Sequence, residues 1–551
     1  MNGVSEQDDP LAPRGGGPSV ALACVALYLA VVLGLFLAIR HRDNGVFTYT
    51  LDDPYIHLAL AQSLAHGHYG INPGEPSSPS SSVLWPFLLV PFAAHPSHLA
   101  LVYIPLLWNV LFCATAAWRI ACTVSRWSWV PDRWSWGPRG WSGSSGPTAS
   151  PLTRFLLAAA LMLVANLAGL TFVGMEHGLQ VLLAIACAAG LAEAFAGRPI
   201  PAWSLAAAVL GPMVRYENFA LVAAVAVALY GLGRTRAAVA IAALSLLGPG
   251  LFSRFLLSRG LPALPSSVLV KANIYTFYGG ALHAAIATIS QSMQLRESEV
   301  GWWDQLAVAL LLLFLMLADK QRARRFILGG ASLAALLQLI LGPFNWFYRY
   351  EVYAIVFTAL VAATALAEST RVPRIAVAAG LLALGAPYAV ALYDTPTAAA
   401  NVYQQQYQMH RFLAGFHGSV VAVNDLGLVS YDRPPGLYVL DLWGLASPEA
   451  SRQTYKDGDW LDAITRAHAA RLAILYPDWY PEGAPDDWDP LGTMCITGRR
   501  ASIARKCVVF YSTGLGDQPA LQAQLASFAL TLPPSVKMTL GKDTTDVDNA
   551  P

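Results

Sequence analysis

Apolar runs recur from Val20 to about Tyr393 with only short polar breaks between them, and about 20 apolar residues suffice to cross the hydrocarbon core of a bilayer. The pattern predicts helices near 18–39, 83–93 with 98–124, 153–170, 177–196, 203–213, 217–231, 236–257, 302–319, 326–343, 350–368 and 373–393, which is about eleven spans. Pro91, Pro96 and Pro105 interrupt the second, and Trp203–Met213 is short for a crossing at a rise of about 1.5 Å per residue. From about Pro396 the pattern changes. Ser419–Val423, Leu437–Leu440, Leu472–Leu475 and Cys507–Tyr511 read as strands and Trp460–Ala470 as a helix, predicting a soluble α/β domain over 396–540. The membrane unit takes residues 18–395. The ends, 1–17 and 541–551, carry Gly, Pro and charge without periodicity and are expected to be disordered.

Basic residues give the spans a direction. Arg126/Arg133/Arg139, Arg198, Arg234/Arg236, Lys320/Arg322/Arg324/Arg325 and Arg371/Arg374 all fall on one side if Trp203–Tyr230 is kept as two segments. Cytoplasmic loops are enriched in Lys and Arg, so that side is assigned to the cytoplasm; Arg40 and Arg42 go against the rule. With the N-terminus inside, an odd number of spans delivers the soluble domain to the periplasmic or extracytoplasmic side of an inner or plasma membrane. Loops 41–82, 259–300 and 343–349 go with it. The first apolar run ends in Ile39-Arg40-His41-Arg42, not in a small-residue cleavage site, and is expected to remain as a helix.

Composition agrees with this reading and removes other classes. The chain has 551 residues, 55% of them hydrophobic and only 13% charged, with a mean hydropathy of +0.46, more apolar surface than one soluble core uses. A net charge of +1 offers no general field for nucleic acid, so an anionic partner must be met by local Arg and Lys clusters. There is no GxxxxGKS/T phosphate loop, no GxGxxG after a strand, no HExxH and no GxSxG. Cys24, Cys113, Cys122 and Cys187 lie in apolar segments and read as small core residues. Cys495 and Cys507 are the two cysteines of the soluble part, and an oxidising compartment would allow them to bridge.

The first outer loop carries the densest chemistry: Thr50-Leu51-Asp52-Asp53-Pro54-Tyr55-Ile56-His57, then Leu64-Ala65-His66-Gly67-His68-Tyr69-Gly70-Ile71-Asn72-Pro73-Gly74-Glu75, then a Ser- and Pro-rich return. Asp53 suits a helix cap and Pro54 the first helical position, predicting a helix to about His66. Ile56, Leu60 and Leu64 share one face of it, as in a helix lying along a membrane surface. The bland reading is that the Asp pair only caps this helix. One Asp suffices for a cap, however, and two adjacent carboxylates repel, raising the proton affinity of one toward that of a general base. His57, His66 and His68 beside the pair make a candidate metal set, but lone surface histidines are commoner and no metal is expected.

The order of membrane helix, Asp52-Asp53, surface helix, Gly67-His68-Tyr69-Gly70, Asn72-Pro73-Gly74-Glu75 and a return to the Trp85 helix resembles the GT-C superfamily of integral-membrane glycosyltransferases. Within it the pattern looks most like the mycobacterial terminal arabinofuranosyltransferase type. Val173-Gly174-Met175-Glu176, Val214-Arg215-Tyr216-Glu217-Asn218, Leu264-Pro265-Ser266-Ser267-Val268-Leu269-Val270-Lys271 and Trp346-Phe347-Tyr348-Arg349-Tyr350 resemble that group's later turns. Val423-Asn424-Asp425-Leu426-Gly427 with Leu440-Asp441-Leu442-Trp443-Gly444-Leu445 resembles the start of its soluble domain. The likeness runs from residue 20 to about 450, in order. Tyr216 stands where the group's pattern has Pro, and Ser266 where it has Asn.

The resemblance implies a GT-C-like polytopic α-helical fold and an inverting transfer of a sugar, arabinofuranose in that group, from a polyprenyl-phosphate donor to a cell-envelope glycan, lipid or protein acceptor. No nucleotide or redox cofactor is implied. Such a reaction needs a base for the acceptor hydroxyl and cations for the departing phosphate. Asp52 or Asp53 is expected as the base. Arg215, Lys271 and Arg349 are expected at the phosphate, and His57, His68, Glu75, Glu176, Glu217, Tyr55 and Trp85 at the substrates. The bland alternatives are that Arg215 pairs with Glu217, that Glu176 caps the helix after it, and that Lys271 and Arg349 meet lipid headgroups. Asp425 and Asp441 read as turn or hydrogen-bond residues and not as catalysts. The competing functions are a lipid-linked glycan transporter, flippase or polymer-assembly protein, in which Asp53 and Arg215 line a path, and a membrane anchor whose soluble domain does the binding.

Overall fold

The computed structural model describes residues 17–94, 98–127, 149–271, 299–368 and 372–541. Among these, eight helical stretches are long and apolar enough to cross a membrane: Pro18–Arg42, Ile104–Ser125, Pro151–Val173, His177–Phe195, Thr235–Ser258, Val300–Ala318, Arg322–Leu341 and Arg374–Ala414. Ala202–Val214, Tyr216–Gly231 and Val352–Ala367 are shorter apolar helices beside them. Val352–Ala367 is buried nearly all round, as a uniformly apolar helix in the centre of a bundle must be. The outer helices instead expose rows of Leu and Phe, such as Leu33, Leu244, Leu251, Phe314 and Leu317, a surface that suits lipid and not water.

The two ends of the bundle differ in chemistry. At one end Arg126 Nη1 bonds Glu193 at 2.9 Å, Arg198 bonds the same carboxylate, and Arg324 Nε donates to the Phe195 carbonyl at 3.1 Å. Three of the basic clusters thus meet at the last turn of the His177–Phe195 helix. Glu176 stands at the other end of that helix, beside the first loop.

The first loop departs from the expectation of a surface helix. Asp53–Ala65 is helical, but every residue from Pro54 to Ala61 is buried. The helix is covered by the Trp85–Ala93 helix and by the short Gly427–Ser430 helix of the soluble domain. A cover that arrives from some 375 residues away leaves no periodic signal within the helix itself.

Arg374–Gln404 is one 31-residue helix that leaves the bundle and enters the soluble domain, so the join near residue 396 lies inside a helix. The domain is a six-stranded sheet in the order β2-β1-β3-β5-β4-β6, with β1 Val420–Val423, β2 Tyr438–Asp441, β3 Leu472–Leu475, β4 Asp489–Ile496, β5 Cys507–Ser512 and β6 Val536–Leu540. β2, β1 and β3 are parallel; β5, β4 and β6 add antiparallel. β1, β2, β3 and β5 coincide with the apolar runs, while β4 and β6 mix polar and apolar residues. Cys495 and Cys507 sit opposite each other across β4 and β5 and are disulfide-bonded. Their bond closes a hairpin that is tied to the long helix: Asn401 Nδ2 donates to Arg499 O at 3.0 Å, Ala501 N to Asn401 Oδ1 at 2.6 Å and Ser502 Oγ to Ala398 O at 3.1 Å.

Candidate functional site

Where the soluble domain meets the bundle there is a cavity of about 1120 Å³. The bundle contributes Asp52, Asp53, Arg215, Glu217, Arg349 and Tyr350 to its lining, and the soluble domain contributes Asn424, Asp425, Trp443, Trp479, Arg500 and Arg505.

Asp52 is carried by a strand of loop anchored at Thr50, whose N–H bonds Phe172 O at 3.0 Å. Its backbone carbonyl receives the Tyr55 N–H at 3.1 Å, but its side chain makes no cap bond to its own helix. The carboxylate instead caps the Gly427–Ser430 helix, Oδ2 accepting from Gly427 N at 2.6 Å and Oδ1 from Leu428 N at 2.8 Å. Gly427 is required there, because a Cβ would come within 2.4 Å of the Asp52 carboxyl carbon. Burial pushes the Asp52 carboxyl well above the usual carboxylate range, and the charges of Asp425 and Asp53 add to it, against the two amide donors. Asp425 is hydrogen-bonded to Asp52 and is itself raised, first by burial; its Oδ2 accepts from Gln406 Nε2 at 2.7 Å and from Tyr476 Oη at 3.2 Å.

Asp53 takes a different partner. Its Oδ2 accepts from both terminal nitrogens of Arg349 at 3.2 Å. Arg349 is 1% exposed, and its Nη2 also donates to Tyr350 Oη at 2.8 Å. The arginine follows a rare local structure: Asn345, Trp346, Phe347 and Tyr348 all have positive φ, between 51° and 63°, and Arg349 N closes the left-handed turn on Asn345 O at 3.3 Å. Such residues cost roughly 1–2 kcal/mol each outside glycine, so the turn must be held from outside. Asn345 is clamped by two carboxylates, its N–H on Glu351 Oε2 at 2.9 Å and its Nδ2 on Glu299 Oε2 at 2.6 Å. Burial, with Glu299 and Asp304 adding, lifts the Glu351 carboxyl to about 8.

Arg215 organises the third group. It bonds Glu176 Oε1 at 2.9 Å, Ser81 Oγ at 3.2 Å, and Glu217 at 3.2 and 2.6 Å. Glu176 is fully buried; burial alone would raise its carboxyl, but His57 and Arg215 outweigh that and hold it below the ordinary value. His57 Nε2 lies 3.6 Å from Glu176 Oε2, and its Nδ1 is 3.1 Å from Ser80 Oγ. The backbone turns into Glu176 through Gly174 at φ 72°, where a Cβ would strike the Tyr49 ring at 2.4 Å. The Tyr350 ring lies 5.3 Å from the Arg215 guanidinium and 4.7 Å from that of Arg349, linking the two cationic groups.

Asp52, Asp53, Arg215, Glu217 and Arg349 therefore line one cavity, with Glu176 and His57 directly behind Arg215. Tyr55 and Trp85 are buried away from it, at 1% and 0% exposure; Tyr55 packs between Tyr49 and Tyr431. His68 lines a separate cavity of about 250 Å³ with Arg259 and Phe255. Glu75 accepts from Tyr438 Oη at 2.6 Å and joins the loop to β2. Lys271 ends the short Ser266–Lys271 helix, and its side chain lies outside the described residues. The sequence reading had Asp425 as a turn or hydrogen-bond residue, and its carboxylate accepts from Gln406 and Tyr476; that reading did not single out Tyr350 or the wall that Trp443, Trp479, Arg500 and Arg505 supply. Among the described residues no group of three or more His, Cys, Asp or Glu is arranged to hold a metal ion.

A family model described as "Domain of unknown function (DUF8728)" matches residues 400–511, the first part of the soluble domain. No curated protein matches the chain. Among solved structures, the chain is similar to the Archaeoglobus fulgidus oligosaccharyltransferase in complex with Zn and sulfate, at a TM-score of 0.42 and 12% sequence identity, over 86% of this chain and 72% of that one.

Proposed function

We propose that the chain is a multi-pass membrane glycosyltransferase that moves a sugar, arabinofuranose by the sequence resemblance, from a polyprenyl-phosphate donor to a cell-envelope acceptor on the outer face of the membrane. The observation that carries this reading is the cavity at the junction of bundle and soluble domain, where two adjacent carboxylates meet two buried guanidinium groups. Charges at the end of apolar helices are expensive unless they pair or face a polar cavity, and here they do both. In the reaction the acceptor oxygen attacks the anomeric carbon from the face opposite the phosphate. The bond from that carbon to the phosphate oxygen breaks, its electron pair leaves with the phosphate, and the configuration inverts. Asp52 takes the hydroxyl proton; its burial and its contact with Asp425 give it the raised proton affinity a base needs. Arg215 and Arg349 supply fixed positive charge to the leaving phosphate, with Lys271 as a third cation, and Asp53 holds Arg349 in place. Glu217 and Glu176 do the same for Arg215.

The test uses the full chain in lipid nanodiscs with a panel of polyprenyl-phosphate sugars, each donor being followed by mass spectrometry. Wild type consumes one donor; Asp52→Asn binds that donor and does not consume it. No consumption of any donor, even with cell-envelope extract as acceptor, or full activity in Asp52→Asn and Asp53→Asn alike, discards the transferase reading in favour of lipid-linked transport.

A further inference from the structure

We propose that Trp443, Trp479 and Asn424 form a preformed binding subsite for an uncharged glycan, on the wall that the soluble domain presents to the cavity. Its assignment to the acceptor rests on the transferase reading above; the binding itself does not.

The topology places the three residues together. β1 lies between β2 and β3, all parallel, so the chain leaves β1 toward one neighbour and later crosses to the other. Open α/β sheets bind ligands in the crevice outside the carboxyl ends of strands at such a point. Asn424 directly follows β1, Trp443 follows β2 by two residues, and Trp479 follows β3 by four. All three line the large cavity.

The residues are held, and one of them offers a donor that nothing takes up. Asn424 is 4% exposed. Its Oδ1 accepts the Tyr476 N–H at 3.1 Å, which fixes the amide orientation, since a backbone N–H must face the oxygen. Its Nδ2 is buried and has no partner, and buried polar atoms without partners are rare enough to need a reason. The Trp443 and Trp479 rings stand 4.9 Å apart at 56°, making an angled aromatic wall. Trp443 N is held by Asp441 Oδ1 at 2.9 Å, and Lys456 Nζ donates to the carbonyls of Leu442 and Trp443 at 2.9 and 2.5 Å. Trp479 is backed by Tyr476 at 5.2 Å.

The chemistry selects the ligand class. A lipid chain would cover the indoles and leave the Asn424 donor unpaired. An anion would settle on the arginines of the same lining, Arg215, Arg349, Arg500 and Arg505; the two indoles and the Asn424 amide carry no charge to hold one. A sugar ring carries an apolar C–H face for the indoles and hydroxyl oxygens for the amide, without charge, and amphipathic rings of this kind are what Trp accommodates well.

The test is a titration of the full chain in nanodiscs with three soluble tetrasaccharides, of arabinofuranose, mannose and glucose, read by saturation-transfer-difference NMR. Wild type binds at least one of them. Trp479→Ala weakens that binding roughly tenfold or more, the scale of losing a buried aromatic contact, and Trp479→Phe, which keeps a ring, weakens it less. Asn424→Asp, which keeps the acceptor for Tyr476 and removes the donor, weakens it roughly fivefold. No binding of any tetrasaccharide by wild type, or unchanged binding in all three variants, overturns the proposal. Because the readout needs no turnover, lost binding in the variants alongside an inert donor panel sinks the transferase reading and leaves the subsite. Unchanged binding alongside an active panel does the reverse.

Discussion

Arg215→Met strands a carboxylate that has no exposure of its own. Of the arginine's acidic partners, Glu217 is 22% exposed and Glu176 0%, so the two halves of the cluster contribute very differently. The Glu217 half is partly screened and contributes about 1 kcal/mol or less. The Glu176 half is a buried ion pair, and removing one member of such a pair costs about 3–5 kcal/mol because the other charge stays behind. In the wild type Glu176 is held below its ordinary value. It therefore contributes stability above about pH 4.3, the unfolded carboxyl value, and that contribution is lost as pH falls through its lower folded value. In Arg215→Met the balance shifts toward burial, the Glu176 carboxyl rises, and the sign reverses: the penalty is small in acid and grows as pH increases. The thermal midpoint, followed by intrinsic fluorescence in detergent, should fall by several degrees at about pH 7.5, and much of that deficit should vanish near about pH 5. Arg215→Met/Glu176→Gln, which removes both charges, should be more stable than Arg215→Met alone. An equal deficit at the two pH values, or a double variant as weak as the sum of the singles, would refute the assignment of the cost to Glu176.

Two further outcomes follow from the same cavity. Gly427→Ala places a methyl group against the Asp52 carboxyl and should break both amide bonds to it, at about 1–3 kcal/mol. Hydrogen exchange of the backbone amides at positions 427 and 428 should then speed up while the bundle's own melting holds, and unchanged exchange would mean that Asp52 does not dock the domain. Glu351, raised to about 8 by burial, contributes stability that is complete below about pH 4.3 and is lost as pH rises through its folded value. The melting temperature of wild type should therefore decline between about pH 5 and 8, at up to about 1.4 kcal/mol per unit, and Glu351→Gln should flatten that decline; a variant with the wild-type slope contradicts the role.

How much of the site could be read from the chain depends on the distance between partners. Arg215 and Glu217 are two residues apart, and their pairing was legible as the bland alternative. Asp53 and Arg349 are 296 residues apart, and the motif resemblance, not any pattern within the chain, pointed to both. Asp425 in Val423-Asn424-Asp425-Leu426-Gly427 looks like any turn acid; its role comes from the closure of the domain onto Asp52. The same closure hid the true burial of the first-loop helix, whose apolar stripe reports one face only. Nothing in Trp346-Phe347-Tyr348 announces a left-handed turn. Asn345 alone is of a type that tolerates that region, and the carboxylates that clamp it lie on other elements. β4 was missed because DPLGTMCI has neither clean alternation nor an unbroken apolar run, whereas VKMTL of β6 does alternate apolar and polar, a short strand signal that the reading passed over.

The helix that joins the two halves has a consequence for where the chemistry happens. Thirty-one residues, with Pro387 and Pro396 among them, span about 46 Å, well beyond a hydrocarbon core of about 30 Å, so the helix is long enough to cross a bilayer and leave its last turns standing clear as a post. The disulfide-closed hairpin bearing Arg500 and Arg505 is lashed to that post as well as paired into the sheet. The post acts as a depth gauge. Because the helix has a fixed length, a thicker bilayer leaves less of it standing clear and a thinner one more, so the height of the cavity wall above the lipid varies with the bilayer.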